Sequence, residues 1–154
     1  MLSKRQRQLG VVIKRSLREL SNQISLLNHQ VGSRVELRDV DLDCLDLISQ
    51  VGPLSPSQLS KRAGVHPATL TGIVDRLERG GWIVRERDAV DRRATVIRAL
   101  PDRAGELFGL YSGMDTALDE LLVGYDEAQL EVIGEFLKRA TAAGVTATEQ
   151  LSAS

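Results

Sequence analysis

Two clusters of basic and small polar side chains lie in the middle of the chain, at residues 66–79 and 91–93. The first cluster combines threonines, small residues and two arginines, and the second contains the pair Arg92-Arg93. Arginine forks match phosphate oxygens and guanine edges, and threonine can hydrogen-bond a base or phosphate and pack its methyl group on thymine. These residue types predict contacts with double-stranded DNA.

Residues suited to catalysis are few. The chain has two histidines, His29 and His66, and it contains neither a Gly-x-Gly-x-x-Gly motif nor a phosphate-binding loop. Its single cysteine, Cys44, excludes an intramolecular disulfide framework and a multi-cysteine zinc site. We therefore expect no enzyme activity, no metal and no cofactor. Cys44 lies among apolar residues and is interpreted as a core residue, and a thiol-based redox sensor that uses it is an alternative.

The first cluster requires a pair of short helices. Ser55 to Gln58 reads as a capping box with proline in the first turn, and Gly64 breaks the helix that follows. Pro67 begins a second helix, which Gly80-Gly81 ends. The apolar positions expected on its buried face are Leu70, Ile73, Val74 and Leu77. Two short helices joined by a tight glycine turn predict a helix-turn-helix.

The second cluster requires a β-hairpin. Residues 82–87 and 95–100 are rich in β-prone side chains, and the polar segment 88–93 between them suits a turn. A hairpin directly after a helix-turn-helix is a wing, and its tip would place Arg92 and Arg93 in a narrow minor groove. Asp91 is expected to hold the guanidinium of Arg93 in an extended pose.

The face of the second helix opposite its apolar residues contains Ala68, Gly72, Asp75 and Arg79. Asp75 would repel phosphate, so it is assigned to orienting Arg79 or Arg76. The complete set predicted to bind DNA is Ser55, Ser57, Lys61, Arg62, His66, Pro67, Ala68, Thr69, Thr71, Gly72, Arg76, Arg79, Asp91, Arg92 and Arg93.

Long helical stripes of apolar residues lie at both ends of the chain. One spans residues 9–31 and is expected to end at Gly32 with a left-handed cap, and others span 107–121 and 130–137 after an Asp126–Gln129 capping box. A small winged domain cannot bury all of these stripes, so they predict a homodimer. The predicted interface residues are Ile13, Leu17, Leu20, Ile24, Leu118, Leu121, Ile133 and Leu137.

Charge is distributed in blocks of opposite sign although the net charge is only −1. Residues 1–38 have a charge of +6, residues 55–105 of +4 and residues 106–154 of −7. The first and last segments are complementary, which favours packing one on the other. No apolar run is long enough to span a bilayer, and the stretch at 9–13 is too short for the core of a signal peptide. We expect a cytoplasmic protein.

Residues 39–108 resemble the MarR family of winged helix-turn-helix regulators, with the strongest similarity in Gly64–Glu78 and in Asp91-Arg92-Arg93. The terminal helices resemble the family's dimerisation arms. The resemblance implies a mainly α fold with a small β-hairpin wing and long N- and C-terminal dimerisation helices. It divides the chain into an N-terminal dimerisation helix at 1–34, a DNA-binding domain at 35–105, C-terminal dimerisation helices at 106–145 and a flexible tail at 146–154.

The same resemblance implies a function. A homodimer would bind a pseudo-palindromic operator as a repressor, and a small aromatic or phenolic effector would release it. Two of the departures from the family pattern lie on the second helix: His66 replaces the frequent serine cap, and Gly72 replaces a frequent arginine or other polar residue. The alternative function is a winged-helix module that acts through a protein partner.

Overall fold

The computed structural model describes residues 1–153. These residues form mostly helices and one two-stranded antiparallel hairpin, so the fold class predicted from the sequence is confirmed. The chain divides into two compact units, Met1–Leu110 and Tyr111–Ser154. In chain order the elements are α1 (Lys4–Arg34), α2 (Asp39–Val51), α3 (Pro56–Ala63), α4 (Pro67–Arg79), β1 (Ile83–Arg87), β2 (Thr95–Ala99), a 3₁₀ turn (Pro101–Arg103), α5 (Ala104–Leu122) and α6 (Glu127–Ser152).

The hydrophobic core lies in the first unit, where α2, α3, α4 and the hairpin pack together. Leu54, just before α3, forms a short bridge with Ile97 of β2, so the hairpin is tied to the helices by main-chain hydrogen bonds. The largest apolar side chains that are fully buried are Ile48, Leu59, Ile73, Leu77, Trp82, Ile83 and Ile97. This core fixes the position of α4 relative to the hairpin.

The predicted helix boundaries of the helix-turn-helix are confirmed. Ser55 caps α3 by accepting a hydrogen bond from the main-chain N–H of Gln58, and the Gln58 side chain accepts one from the N–H of Ser55. Gly64 ends α3 in the left-handed conformation, with φ of 64°. Gly81, with φ of 76°, turns the chain from α4 into β1. In the helix-turn-helix, the capping residues and glycines therefore form the caps and turns that their chemistry favours.

The end of α1 differs from the prediction. Gly32 is not a left-handed cap, because the helix continues to Arg34 and the left-handed residue is Glu36, with φ of 59°. The reason for a glycine at position 32 is close packing. A Cβ atom there would lie 2.7 Å from the main-chain oxygen of Leu37, so only glycine lets the chain fold back over the helix end.

The end of α6 also differs from the prediction. The helix continues through Ser152, whereas the family resemblance implied a flexible tail over 146–154. Thr146 and Thr148 donate their hydroxyl groups to the carbonyls of Ala142 and Gly144, so these polar residues are satisfied within the helix. The mobility of this segment stays a prediction, and its last residue, 154, lies outside the described residues.

The long terminal helices leave apolar side chains exposed. Ile13, Leu20 and Ile24 of α1 are each more than two-fifths exposed, as are Leu118, Leu121 and Leu137 in α5 and α6. Leu17 and Ile133 are half-buried. Within residues 1–153, no helix combines the length and the apolar character that crossing a membrane requires.

Candidate nucleic-acid interface

Helix α4 presents a polar face because its apolar residues all turn inward. Leu70, Ile73, Val74 and Leu77 are buried. On the other side His66, Pro67, Ala68, Thr69, Thr71 and Arg79 are exposed, and Gly72 is half-buried. The N-terminal half of this face contains only small side chains after Pro67, which suits close approach to the floor of a groove.

His66 is the N-cap of α4. Its Nδ1 accepts a hydrogen bond from the main-chain N–H of Ala68 at 3.2 Å. An Nδ1 that accepts cannot carry a proton, so in the neutral ring the proton is on Nε2. The imidazole therefore replaces a serine cap and still presents an outward N–H donor.

Arg76, one of the residues predicted to bind DNA, is held by a carboxylate of the core. Its Nε and Nη2 donate to the carboxylate of Asp41 in α2, at 3.0 and 2.7 Å. Asp41 is completely buried, whereas 31% of the Arg76 side chain is exposed. The hydrogen bonds that Arg76 donates to Asp41 raise the pKa of Arg76 above its ordinary value. Sequence reasoning did not identify Asp41, because nothing in the chain order shows which acidic residue of α2 faces α4.

The assignment of Asp75 to Arg79 or Arg76 is wrong. The Asp75 carboxylate is paired with Arg85 of β1, and Arg85 also contacts Glu78. Arg79 donates only to the main-chain oxygen of Asp75, at 3.4 Å. Arg85 lies beyond the turn at Gly80-Gly81, so a helical wheel could not reveal it. The pairing ties the hairpin to α4 and neutralises the acidic charge on the polar face.

The loop at 88–94, between β1 and β2, has an internal hydrogen-bond network. The Asp91 carboxylate accepts from the main-chain N–H of Arg93 at 3.0 Å, and the Asp88 carboxylate accepts from that of Val90. Asp91 therefore shapes the turn, and the prediction that it holds the guanidinium of Arg93 is wrong. Arg92 and Arg93 are exposed. Within residues 1–153, neither guanidinium forms an ion pair.

The remaining predicted contacts lie on or before α3. Ser57, Lys61 and Arg62 are exposed, and Ser55 is half-buried because its hydroxyl caps the helix. Sequence reasoning missed Ser60, whose buried hydroxyl donates to the carbonyl of Val65 and fastens the turn between α3 and α4. The small residue at the end of α3, four positions before Gly64, was the only sequence signal for this role.

A groove of about 730 Å³ lies beside the C-terminal end of α4. Its lining includes four arginines, Arg34, Arg76, Arg79 and Arg103, together with Trp82. The Arg103 guanidinium stacks on the Trp82 ring at 3.9 Å from its centre and donates to the carbonyl of Gly80 at 2.7 Å. Arg76 is paired with Asp41 and Arg103 with Glu106, and Glu36 also lines the groove. Arg34 and Arg79 are therefore the lining arginines that form no ion pair within residues 1–153.

Cys44 lies in the core of the first unit, with no exposed surface. Burial, with smaller contributions from Asp43 and Asp41, raises the pKa of its thiol to about 11. A redox-sensing thiol needs access to solvent and a lowered pKa. Cys44 is buried and the pKa of its thiol is raised, which disfavours the redox-sensor alternative.

The family model described as "MarR family" matches residues 37–95. The regulator YcgE of Bacillus subtilis, described as an HTH-type transcriptional regulator, is 30% identical over 123 residues, which is 80% of each chain. The HTH-type transcriptional repressor YetL of the same organism is 27% identical over 90 residues, covering 56% of this chain and 54% of YetL. The crystal structure of a MarR family protein from Bacillus stearothermophilus, 18% identical, has a TM-score of 0.69 and covers 94% of this chain and 99% of that one.

The fold and the polar face of α4 define a winged helix-turn-helix protein, and the curated relatives that match it are transcriptional regulators. The matching family model and the similarity to YcgE over four-fifths of the chain identify the family. The chain belongs to the MarR family.

Proposed function

We propose that the protein is a homodimeric repressor that binds a pseudo-palindromic operator in double-stranded DNA. The observation that carries the proposal is that α4 has an exposed face on which Asp75 is neutralised by Arg85, and that the adjacent loop exposes Arg92 and Arg93, which form no ion pair within residues 1–153. The helix would enter the major groove and the loop the neighbouring minor groove. Ser57, Lys61 and Arg62 on α3 would contact the backbone. The repressor role is supported by the name of the relative YetL.

The proposed dimer is supported by the exposed apolar residues of α1, α5 and α6. Ile13, Leu20 and Ile24 recur along one helix, and their exposure in a single chain would cost solvation free energy that a second copy removes. Two copies would present two α4 helices to half-sites about one helical turn apart. A cytoplasmic location follows from a chromosomal DNA partner.

Selection from a random duplex pool tests the DNA proposal. We expect enrichment of an inverted repeat, bound with an affinity that falls steeply as the salt concentration rises, because arginines displace counterions from phosphates. If no sequence is enriched, or if the affinity does not respond to salt, the proposal is overturned. In that case the winged module would act through a protein partner.

Effector release is the second part of the proposal. The groove beside Trp82 supports a small aromatic ligand that carries an acidic group, because the guanidinium groups of Arg34 and Arg79 would pair with the anion. Trp82 is the only tryptophan in the chain, so its fluorescence reports on this groove. Benzoate is expected to change the fluorescence and to weaken operator binding, with phenol as the neutral comparison. If neither probe changes the two signals, the groove is not the effector site for this class.

A further inference from the structure

The polar face of α4 lacks a side chain at Gly72. This residue lies in the middle of the polar face, so it contributes no side chain where a DNA-binding helix is closest to the bases. The space beside Gly72 is occupied by the side chain of another residue. A Cβ atom built on Gly72 would lie 3.4 Å from Nη1 of Arg76, which means that the guanidinium of Arg76 lies over this glycine.

Asp41 holds the guanidinium in that place. Nε and Nη2 of Arg76 donate to the two carboxylate oxygens, so two of the five N–H groups are used. The two N–H groups of Nη1 and the second N–H of Nη2 form no hydrogen bond within residues 1–153. Because the carboxylate is buried and fixed by the core, the remaining edge of the guanidinium has a fixed direction.

We infer that Asp41 is a positioning residue that presents Arg76, across the space left by Gly72, to a guanine in each half-site. The free edge of the guanidinium has the donor spacing that matches the O6 and N7 acceptors of guanine in the major groove. A side chain that is already held loses little conformational entropy on binding, which favours a directional base contact. This inference rests on the proposed DNA-binding function and assigns one base-reading interaction to it.

The test compares the base preference of variants in the same duplex selection. Arg76→Lys retains the positive charge but removes the planar fork. We expect the preference for guanine at one position of each half-site to fall by about tenfold to a hundredfold, while the other positions keep their preferences. Asp41→Asn is expected to weaken the same position, because it replaces one of the two acceptor oxygens with an NH2 group that cannot accept from the guanidinium.

Arg98→Lys provides the matched control, since Arg98 is paired with Glu86 on the hairpin through a similar fork. It should leave the whole preference profile unchanged. Gly72 gives a second test that leaves both residues of the buried Asp41–Arg76 pair in place. Gly72→Leu adds an apolar side chain at a half-buried helical position and competes with the guanidinium for its space. Gly72→Ala leaves ordinary contact with Nη1 and should keep the guanine preference.

The outcomes separate the two hypotheses. If the wild-type chain enriches an operator and folded Arg76→Lys or Gly72→Leu gives the wild-type profile at every position, the assignment of Arg76 and Asp41 is overturned and the pair only stabilises the fold. If the wild-type chain enriches no operator at all, the proposed function itself is overturned, and this inference with it.

Discussion

The arginines of the winged domain differ in whether a carboxylate holds them, and this difference matters for the proposed DNA contacts of Arg76, Arg92 and Arg93. Arg76, Arg85 and Arg98 are held by carboxylates, so their direction is fixed by the protein. Arg92 and Arg93 are exposed and form no ion pair within the described residues. A fixed guanidinium favours a directional contact, whereas a free one follows the negative potential of a narrow groove.

Arg93→Ala is expected to weaken operator binding by about 1–3 kcal/mol, because the variant loses a groove contact without changing the fold. Fluorescence anisotropy at matched salt measures the effect. Val90→Ala, in the same loop and highly exposed, is the control and should change little. Equal affinities for Arg93→Ala and the wild type would show that the hairpin loop does not contact the operator.

Cys44 is expected to be chemically inert in the folded protein. Because burial raises the pKa of its thiol to about 11, very little thiolate exists near pH 8. A disulfide exchange reagent should modify it only after unfolding in guanidinium chloride. The contribution of the protonated thiol to stability is intact below its ordinary pKa of 9.0 and is lost as the pH rises through about 11. Rapid modification of the native protein at pH 8 would restore the sensor alternative.

At the scale of elements, polar contacts connect α4 to two of the elements that pack against it, α2 and β1. Asp41 joins it to α2, and Arg85 joins it to β1 through Asp75 and Glu78. The helix and the hairpin loop therefore keep a fixed relative position, so that major-groove and minor-groove contacts can form together.

The turn after α1 is equally constrained, since it requires the absence of a side chain at Gly32.

Gly32→Ala is expected to destabilise the fold by about 1–3 kcal/mol although alanine favours helices, because its methyl group would overlap the carbonyl of Leu37. Thermal unfolding followed by circular dichroism measures the change. Gly105→Ala is the matched control in α5. Nothing lies within 4 Å of its added methyl group, so stability should rise by up to about 1 kcal/mol. A Gly32→Ala variant at least as stable as the wild type would contradict this account.

At the scale of the whole molecule, the winged domain has a complete core within one chain but the terminal helices do not. The buried apolar side chains lie between residues 31 and 97. The apolar stripes of α1, α5 and α6 lie outside this range and remain largely exposed. A second copy of the chain is the partner that would cover them in the proposed function.

Ile24→Asp is expected to separate the proposed dimer into monomers and to abolish operator binding together, because a charge would replace an apolar contact between copies. Sedimentation velocity and anisotropy measure the two effects. Gln23→Asp introduces the same charge at the neighbouring exposed position and should leave both unchanged. If Ile24→Asp sediments as a dimer, this stripe is not the interface.

Most of the fold follows from local signals. The caps at Ser55 and Asp126, the glycine at position 64 and the β-prone runs at 83–87 and 95–99 each specify their element through neighbours in sequence. The candidate DNA-binding face follows from them, because helical periodicity separates the buried residues of α4 from the exposed ones. The partners of the charged residues did not follow from the sequence. The predicted partners of Asp75 and Asp91 were wrong, and so was the predicted left-handed cap at Gly32.

The sequence by itself determined the elements, the polar face of α4 and the exposed arginines of the hairpin loop, since these depend on interactions over a few residues. The tertiary structure alone decided which carboxylate holds which arginine. Asp41 and Arg76 are 35 residues apart in the chain, and Asp75 and Arg85 lie on different elements. Such pairs depend on how helices and strands pack in three dimensions, and that packing is set by the whole core.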